Sequence, residues 1–289
     1  MSIVPEWFDK RRGLALGIAS TGQSLGSLVS PLVITAITEK LDIQWCYRIM
    51  SLMMVVSGTI ACILFKESHT ARKNNRSEKS PSKEKPKLKD IFQFRVLRNP
   101  TFILWCIADI LFEGAYYVPY YFLPAHATYL QLSPEKGSAL ISVMSATNLC
   151  GRLFCGYVGD RIGHINTVII YGFITMLTCL LMWTFAENYG LLMTFAAFFG
   201  FFGSAFLTLV SAVTAVVVGI DHLQSAFSAF LVVTVFCMLG PTAAATLELA
   251  TTWKPFLSYE LFTGICYAVG VIFMLAVKLM VDKRFLKIV

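Results

Sequence analysis

Eight apolar runs, at roughly 13–37, 45–65, 101–126, 137–157, 165–186, 190–219, 226–251 and 257–281, leave this chain few ways to fold. A helix needs about 20 apolar residues to cross the hydrocarbon core of a bilayer. Only 14% of the 289 residues are charged and 56% are hydrophobic, against about a quarter charged and 45–50% apolar in an ordinary soluble domain. The expectation is an all-α integral membrane protein with about eight transmembrane helices. The first run begins after Arg12 and is too long for the core of a signal peptide.

Lys and Arg placement orients the runs. Lys10, Arg11, Arg12, the eleven basic residues of 66–98, Arg161, Lys278, Lys283, Arg284 and Lys287 fall on one side, and Lys40, Arg48, Lys136 and Lys254 on the other. Cationic residues are retained on the cytoplasmic side, so both termini and the 66–98 loop are expected there. That loop holds the whole excess of positive charge, which suits anionic lipid headgroups; outside its last few residues it lacks the stacking aromatics that a nucleic-acid partner would use. Ser68 to Lys87 reads as disordered. Leu88, Ile91, Phe92, Val96 and Leu97 then recur at helical spacing among charges, as in an amphipathic helix lying on the membrane. Asn99-Pro100 reads as an N-cap and first helical position.

Enzymatic or metal chemistry finds little support. The eight cysteines lie almost entirely in apolar runs without a Cys-x-x-Cys spacing, and read as buried small hydrophobes. The four histidines (69, 126, 164 and 222) are scattered, so no metal site is expected. No cofactor motif, phosphate loop or nucleophile–base spacing points to an enzyme.

Two strings carry a family likeness. Trp7-Phe8-Asp9-Lys10-Arg11-Arg12-Gly13-Leu14-Ala15-Leu16-Gly17, continuing through Gly22, resembles the motif before the fifth helix of monocarboxylate transporters, within the major facilitator superfamily. Gly151-Arg152-Leu153-Phe154-Cys155-Gly156-Tyr157-Val158-Gly159-Asp160-Arg161-Ile162-Gly163 is similar to the turn between that family's helices eight and nine, and Gly240-Pro241 to a break in helix eleven. The resemblance implies a major-facilitator-type helical bundle spanning helices five to twelve, with the first four absent. Residues 1–66 would be the remnant of the N-terminal half, 67–99 the cytoplasmic basic loop with its amphipathic helix, and 100–289 the complete C-terminal six-helix half. In Gly156, Asp160, Arg161 and Gly163 the likeness implies a gating motif, in which the charged pair closes across the turn or caps neighbouring helix ends. The competing role is plain helix termination. On the first helix, Gly13 and Gly17 share one side and Gly22 and Gly26 the opposite one, offering two close-packing faces.

Charges inside a span are costly and mark function. Asp109 and Glu113 share a helical face, on which Trp105, Tyr116 and Tyr120 project within about 40° of Asp109. Glu113 falls about 18 Å along its span, near the midplane. Two carboxylates about 6 Å apart in a low dielectric resist double ionisation, which makes them candidates for carrying a proton; an interhelical pair is the alternative. Pro119 and Pro124 are expected to bend or break the outer part of this helix. Ser138, Ser142, Ser145, Asn148 and Arg152 form a polar stripe on the next span. Arg152 suits a bidentate carboxylate substrate, or else snorkels to a membrane end about 8 Å away. In the resembling family an Asp stands where Asn148 does, and Asn148 cannot carry its proton. Glu248 and Glu260 lie near outer ends where exposure is the default, and the phenylalanines from Phe195 to Phe206 either line a cavity or fill the bundle.

The expected function is a membrane transporter like the monocarboxylate porters, moving small organic anions, with protons, by alternating access. The expected partners are that anion, protons and the lipid bilayer. The alternative is a truncated, non-transporting membrane fragment, or a subunit paired with a chain that supplies the missing helices.

Overall fold

A computed structural model describes residues 11–38, 43–64, 99–219, 222–251 and 254–281. Its elements are α1 (Arg12–Thr38), α2 (Ile43–Leu64), α3 (Pro100–Tyr129), α4 (Pro134–Ile162), α5 (His164–Leu177, continued by a π-helical turn Thr178–Trp183), α6 (Tyr189–Gly203), α7 (Ala205–Val218), α8 (Leu223–Val233), a 3₁₀ segment (Thr234–Met238), α9 (Leu239–Ala250) and α10 (Leu257–Val281). The described residues are helical throughout apart from turns and caps, with no strand among them. The stretch expected to be disordered (68–87), the segment expected to form an amphipathic helix (88–98) and residues Trp7, Phe8 and Lys10 lie outside the described residues.

Among the described residues, seven spans are long and apolar enough to cross a membrane, with α6–α7 and α8–α9 each counting as one. The eighth expected span, α1, is a 27-residue helix that is not among them. Thr21, Gln23, Ser24 and Ser27 dilute its apolar character. The run at 190–219 is divided at Ser204, and that at 226–251 passes through a tight 3₁₀ stretch before Gly240-Pro241.

α3 begins as its sequence dictates: the Asn99 side chain accepts from Thr101 N at 3.0 Å, and Pro100 occupies a position where its missing N–H costs nothing. Pro119 and Pro124 do not break it. Both lie inside one continuous helix through Tyr129, because packed neighbours on a buried element hold the turns that a lone helix would lose. α3 is the hub. Its Phe102, Trp105, Phe112 and Leu123 are fully or almost fully buried, and it packs along α10. Trp105 Nε1 donates to Thr214 Oγ1 of α7 at 3.0 Å, so its polar edge is satisfied within the core. Phe195, Phe199 and Phe206 fill this core, Phe198 faces outward, and none lines the polar cavity described below. α2 lies against α1 at the edge, its apolar side chains exposed as on a lipid-facing element.

α1 and α4 cross at backbone contact. A Cβ on Gly13 would strike the Gly156 carbonyl oxygen, and one on Gly156 the Gly13 carbonyl. Gly17 sits equally close to the Arg152 carbonyl, so one of the two expected glycine faces is a packing seam. Gly22 and Gly26 have nothing within 4 Å among the described residues.

Candidate functional site

α1, α3 and α4 enclose a cavity of about 460 Å³ whose polar lining includes Ser24, Tyr116, Ser145, Asn148 and Arg152. Asn148 organises it. Its Oδ1 accepts from Ser24 Oγ of α1 at 2.6 Å and from Arg152 Nε at 2.8 Å. Its Nδ2 donates to the Tyr116 hydroxyl of α3 and to the Gly200 carbonyl of α6, each at 3.1 Å. Four helices therefore meet on one amide. Arg152 is 1% exposed and also donates, through an Nη, to the Ser20 carbonyl at 3.1 Å. It points into the bundle and does not snorkel. Among the described residues it has no carboxylate partner. Ser145 Oγ is buried on the same wall with no hydrogen-bond partner. Tyr116, Tyr117, Tyr120 and Tyr121 make up the α3 side, with the Tyr116 and Tyr120 hydroxyls 3.1 Å apart. A buried guanidinium beside hydroxyls has the donors that an anion would need.

Asp109 and Glu113 are buried, and neither lines the cavity that Arg152 faces. They face the 3₁₀ segment, where Cys237 joins them; one ligand atom from each of the three lies within 4.8 Å of the others. Among the described residues this is the only grouping of three such side chains. The set is a carboxylate pair with a thiol neighbour. It forms because α3 and α9 touch at Gly114 and Gly240, where a Cβ on Gly240 would strike the Gly114 carbonyl. Tyr117 follows Glu113 by one turn of α3, and its side chain lines the cavity. Tyr117 thus stands between the acid pair and the basic pole. Tyr116, expected on the Asp109 face, bonds Asn148 two turns further along, and Tyr120 bonds Tyr116.

The Asp160 carboxylate accepts from Gly13 N at 2.7 Å and from Leu14 N at 2.9 Å, capping α1 from the end of α4. Arg161 is not its partner across the turn; its guanidinium lies 4.5 Å over the Tyr157 ring. Gly163, at φ 93°, turns the chain into α5, a conformation that L side chains rarely adopt. Opposite this sealed end, a second cavity of about 470 Å³ shares Ser27 and Ile141 with the first and extends along Pro124, Thr128, Pro134 and Ser138. The polar space is closed at the Asp160 end and continues toward the α3–α4 turn.

Sequence reasoning missed two features. Cys237 was grouped with the inert thiols. Glu260, expected to be exposed, is 4% exposed and lies beside an equally buried His126, which the sequence left among scattered histidines. Only the folded topology brings either pair together.

Comparison with known proteins agrees with this geometry. The chain is 28% identical over 294 residues to the Fujikurins efflux protein of Gibberella fujikuroi, covering 99% of this chain and 60% of that protein. It is 25% identical over 273 residues to the Probable transporter MCH2 of Saccharomyces cerevisiae, covering 92% and 55% respectively. It thus spans less than two thirds of the length of these relatives. The crystal structure of FucP, a Major Facilitator Superfamily transporter in the outward conformation, superposes with a TM-score of 0.65 at 14% identity, covering 95% of this chain and 70% of that one. The Major Facilitator Superfamily profile matches residues 1–166 and again 106–287, an overlap suited to a fold built from repeated helical units. With a helical bundle, a polar cavity between its helices and profile matches reaching over nearly its full length, this chain belongs to the Major Facilitator Superfamily.

Proposed function

We propose that this chain forms part of a transporter that moves small organic anions by alternating access, in the manner of monocarboxylate porters, with protons as the coupled ion. The observation that carries the anion is Arg152, which faces a polar cavity without a carboxylate of its own among the described residues. Bringing an anion to a guanidinium already held by Asn148 and Ser20 needs little reorganisation, and the vacant hydroxyl of Ser145 adds a donor beside it.

In this reading Asp109 and Glu113 carry the proton that Asn148 cannot, and Tyr117, one turn of α3 beyond Glu113, brings that face of the helix to the cavity. Asp160, with Gly156, Arg161 and Gly163, holds α1 against α4 in the state closed at that end; Arg12 to Gly22 provide the moving helix. Residues 1–66 act as part of one rocking half and 100–289 as the other, joined by 67–99, with both termini on the cytoplasmic side.

A second substrate reading follows from size. The cavity lies within the range that holds drug-sized ligands, and four tyrosines form one wall. Larger organic acids with aromatic rings fit it, and the relative named for fujikurin efflux supports a direction out of the cell. The test is uptake and efflux in proteoliposomes with internal and external pH clamped, comparing labelled lactate or pyruvate with an aryl carboxylate. Accumulation that requires Arg152 supports the anion reading. Transport of neutral solutes only, unaffected by Arg152→Ala, would overturn it.

A further inference from the structure

At the opposite end of the bundle from Asp160, outside the substrate cavity, α3, the π-helical turn of α5 and α10 meet on one imidazole. Trp183 Nε1 donates to His126 Nδ1 at 3.1 Å. An indole N–H can only donate, so Nδ1 must present a lone pair; the neutral ring then carries its hydrogen on Nε2. Glu260 Oε1 lies 3.8 Å from that same Nδ1. With Glu260 ionised, two acceptors face each other, in a site where His126, Glu260 and Trp183 are all at most 5% exposed. One added proton resolves the arrangement. On Nδ1 it creates an N–H aimed at the Glu260 carboxylate and removes the acceptor that Trp183 uses.

The surroundings hold His126 in this frustrated position. The Phe256 ring stacks on it at 4.7 Å and 6°, and Phe256 itself has φ 71°, a left-handed conformation uncommon for an aromatic residue. That backbone is fastened by the Phe256 N–H, which donates to Glu248 Oε1 of α9 at 2.8 Å, while Glu248 Oε2 is buried without a partner. Strain of this kind persists only where the surroundings impose it, and it accumulates at working sites. The π-helical turn ending at Trp183 is a second irregularity on the same contact. Water is near: Lys254 and Glu187, 3.4 Å apart and more than half exposed, mark the adjacent surface. The other titratable groups turned toward the pair are Cys179 from α5, Glu248 from α9, Tyr129 from α3 and Tyr259 from α10.

We propose that His126, Glu260 and Trp183 form a proton-binding site at the mouth of the bundle, in which uptake of one proton moves the His126 hydrogen bond from Trp183 on α5 to Glu260 on α10. The proton comes from bulk water. An N–H bond forms at Nδ1, the Glu260 carboxylate accepts from it, and the indole N–H is released. Pro124, Ala125 and Thr128, on the same turns of α3, line the outer cavity, so the exchange acts on its wall. The site is separate from Asp109 and Glu113, and stands whether or not a proton travels with the substrate.

The experiment uses the full chain in lipid nanodiscs with ¹⁵N-labelled histidine, titrated from pH 8.5 to 4.5. There are four histidines, and His126→Gln identifies the signal. At pH 8.5 the His126 Nδ1 resonance is expected in the bare-nitrogen range and Nε2 in the protonated range. On acidification Nδ1 becomes an N–H, and in parallel tryptophan emission shifts. Subtracting the Trp183→Phe spectrum isolates Trp183 among the five tryptophans. In Glu260→Gln the shift in Trp183 emission is lost. Trp183→Phe, which retains an aromatic in the same space, still takes up the proton at His126 but without the emission change, so the test survives if Glu260→Gln fails to fold. Nδ1 already protonated at pH 8.5 with Nε2 bare, no protonation down to pH 4.5, or an emission shift unaltered in Glu260→Gln would each overturn the proposal.

Discussion

Oδ1 of Asp160 stands 2.7 Å from the Gly13 backbone nitrogen, so a side chain at the end of α4 caps a helix that lies 147 residues earlier in the chain. The first N–H groups of a helix have no partner of their own, and a carboxylate there also meets the positive end of the helix dipole. Asp160→Ala removes this bond and the one to Leu14 together. The expected loss is about 1–2 kcal/mol of stability, as for other lost caps. Asp160→Asn, which keeps one acceptor, should lose less. Thermal unfolding in detergent measures both. Equal melting temperatures for wild type and Asp160→Ala would show that the cap carries no weight.

The seam behind that cap tolerates no side chain. Gly156→Ala places a methyl against the Gly13 carbonyl, which belongs to the backbone and cannot rotate away. Overpacking of this kind costs about 1–3 kcal/mol. Gly22→Ala on the same helix meets nothing within 4 Å among the described residues and gains helix propensity, so it should be neutral or stabilising by up to about 1 kcal/mol. The two melting curves should therefore move in opposite directions, and a matching shift would refute the close-contact argument.

Arg152→Lys is the sharper test of the basic pole. Lysine keeps the charge but loses the planar fork that binds Asn148 Oδ1 and the Ser20 carbonyl at once. Anion uptake should fall about tenfold or more with either Lys or Ala, the equivalent of at least ~1.4 kcal/mol. Full activity in Arg152→Lys would mean that charge alone suffices and that the geometry read here is incidental.

The acid pair predicts a pH effect. If a proton enters with the anion, lowering the pH on the loading side raises uptake. Asp109→Asn combined with Glu113→Gln should leave a flat profile with some downhill flux. Wild-type pH dependence in the double variant would remove these residues from the coupling. Cys237→Ser, which keeps a hydroxyl beside the carboxylates, should behave nearly as wild type if the thiol only completes their packing.

Much of this was legible in the sequence because it depends on near neighbours. Apolar run lengths located the helices, Asn99-Pro100 announced the start of α3, and the spacing of Asn148 and Arg152 put both on one stripe, where they are hydrogen-bonded. The capping option for Asp160 was visible too, although its recipient was not. What stayed hidden depends on distant chain segments meeting. Cys237 reaches Asp109 only because two glycines let α3 and α9 touch, and Trp183 reaches His126 across 57 residues. Local rules erred where packing outweighs propensity: Pro119 and Pro124 remain helical on α3.

Asn148 leaves one more consequence. An amide offers two N–H groups and two lone pairs, and here Ser24, Arg152, Tyr116 and Gly200 take all four. Aspartate at this position would turn an anionic oxygen toward the Gly200 carbonyl and abolish that bond. The amide therefore acts as a rivet among four helices whose strength does not vary with acidity. A binding floor pinned this way keeps one shape in acid and in base, so any pH response of the protein has to be imported from side chains elsewhere in the bundle.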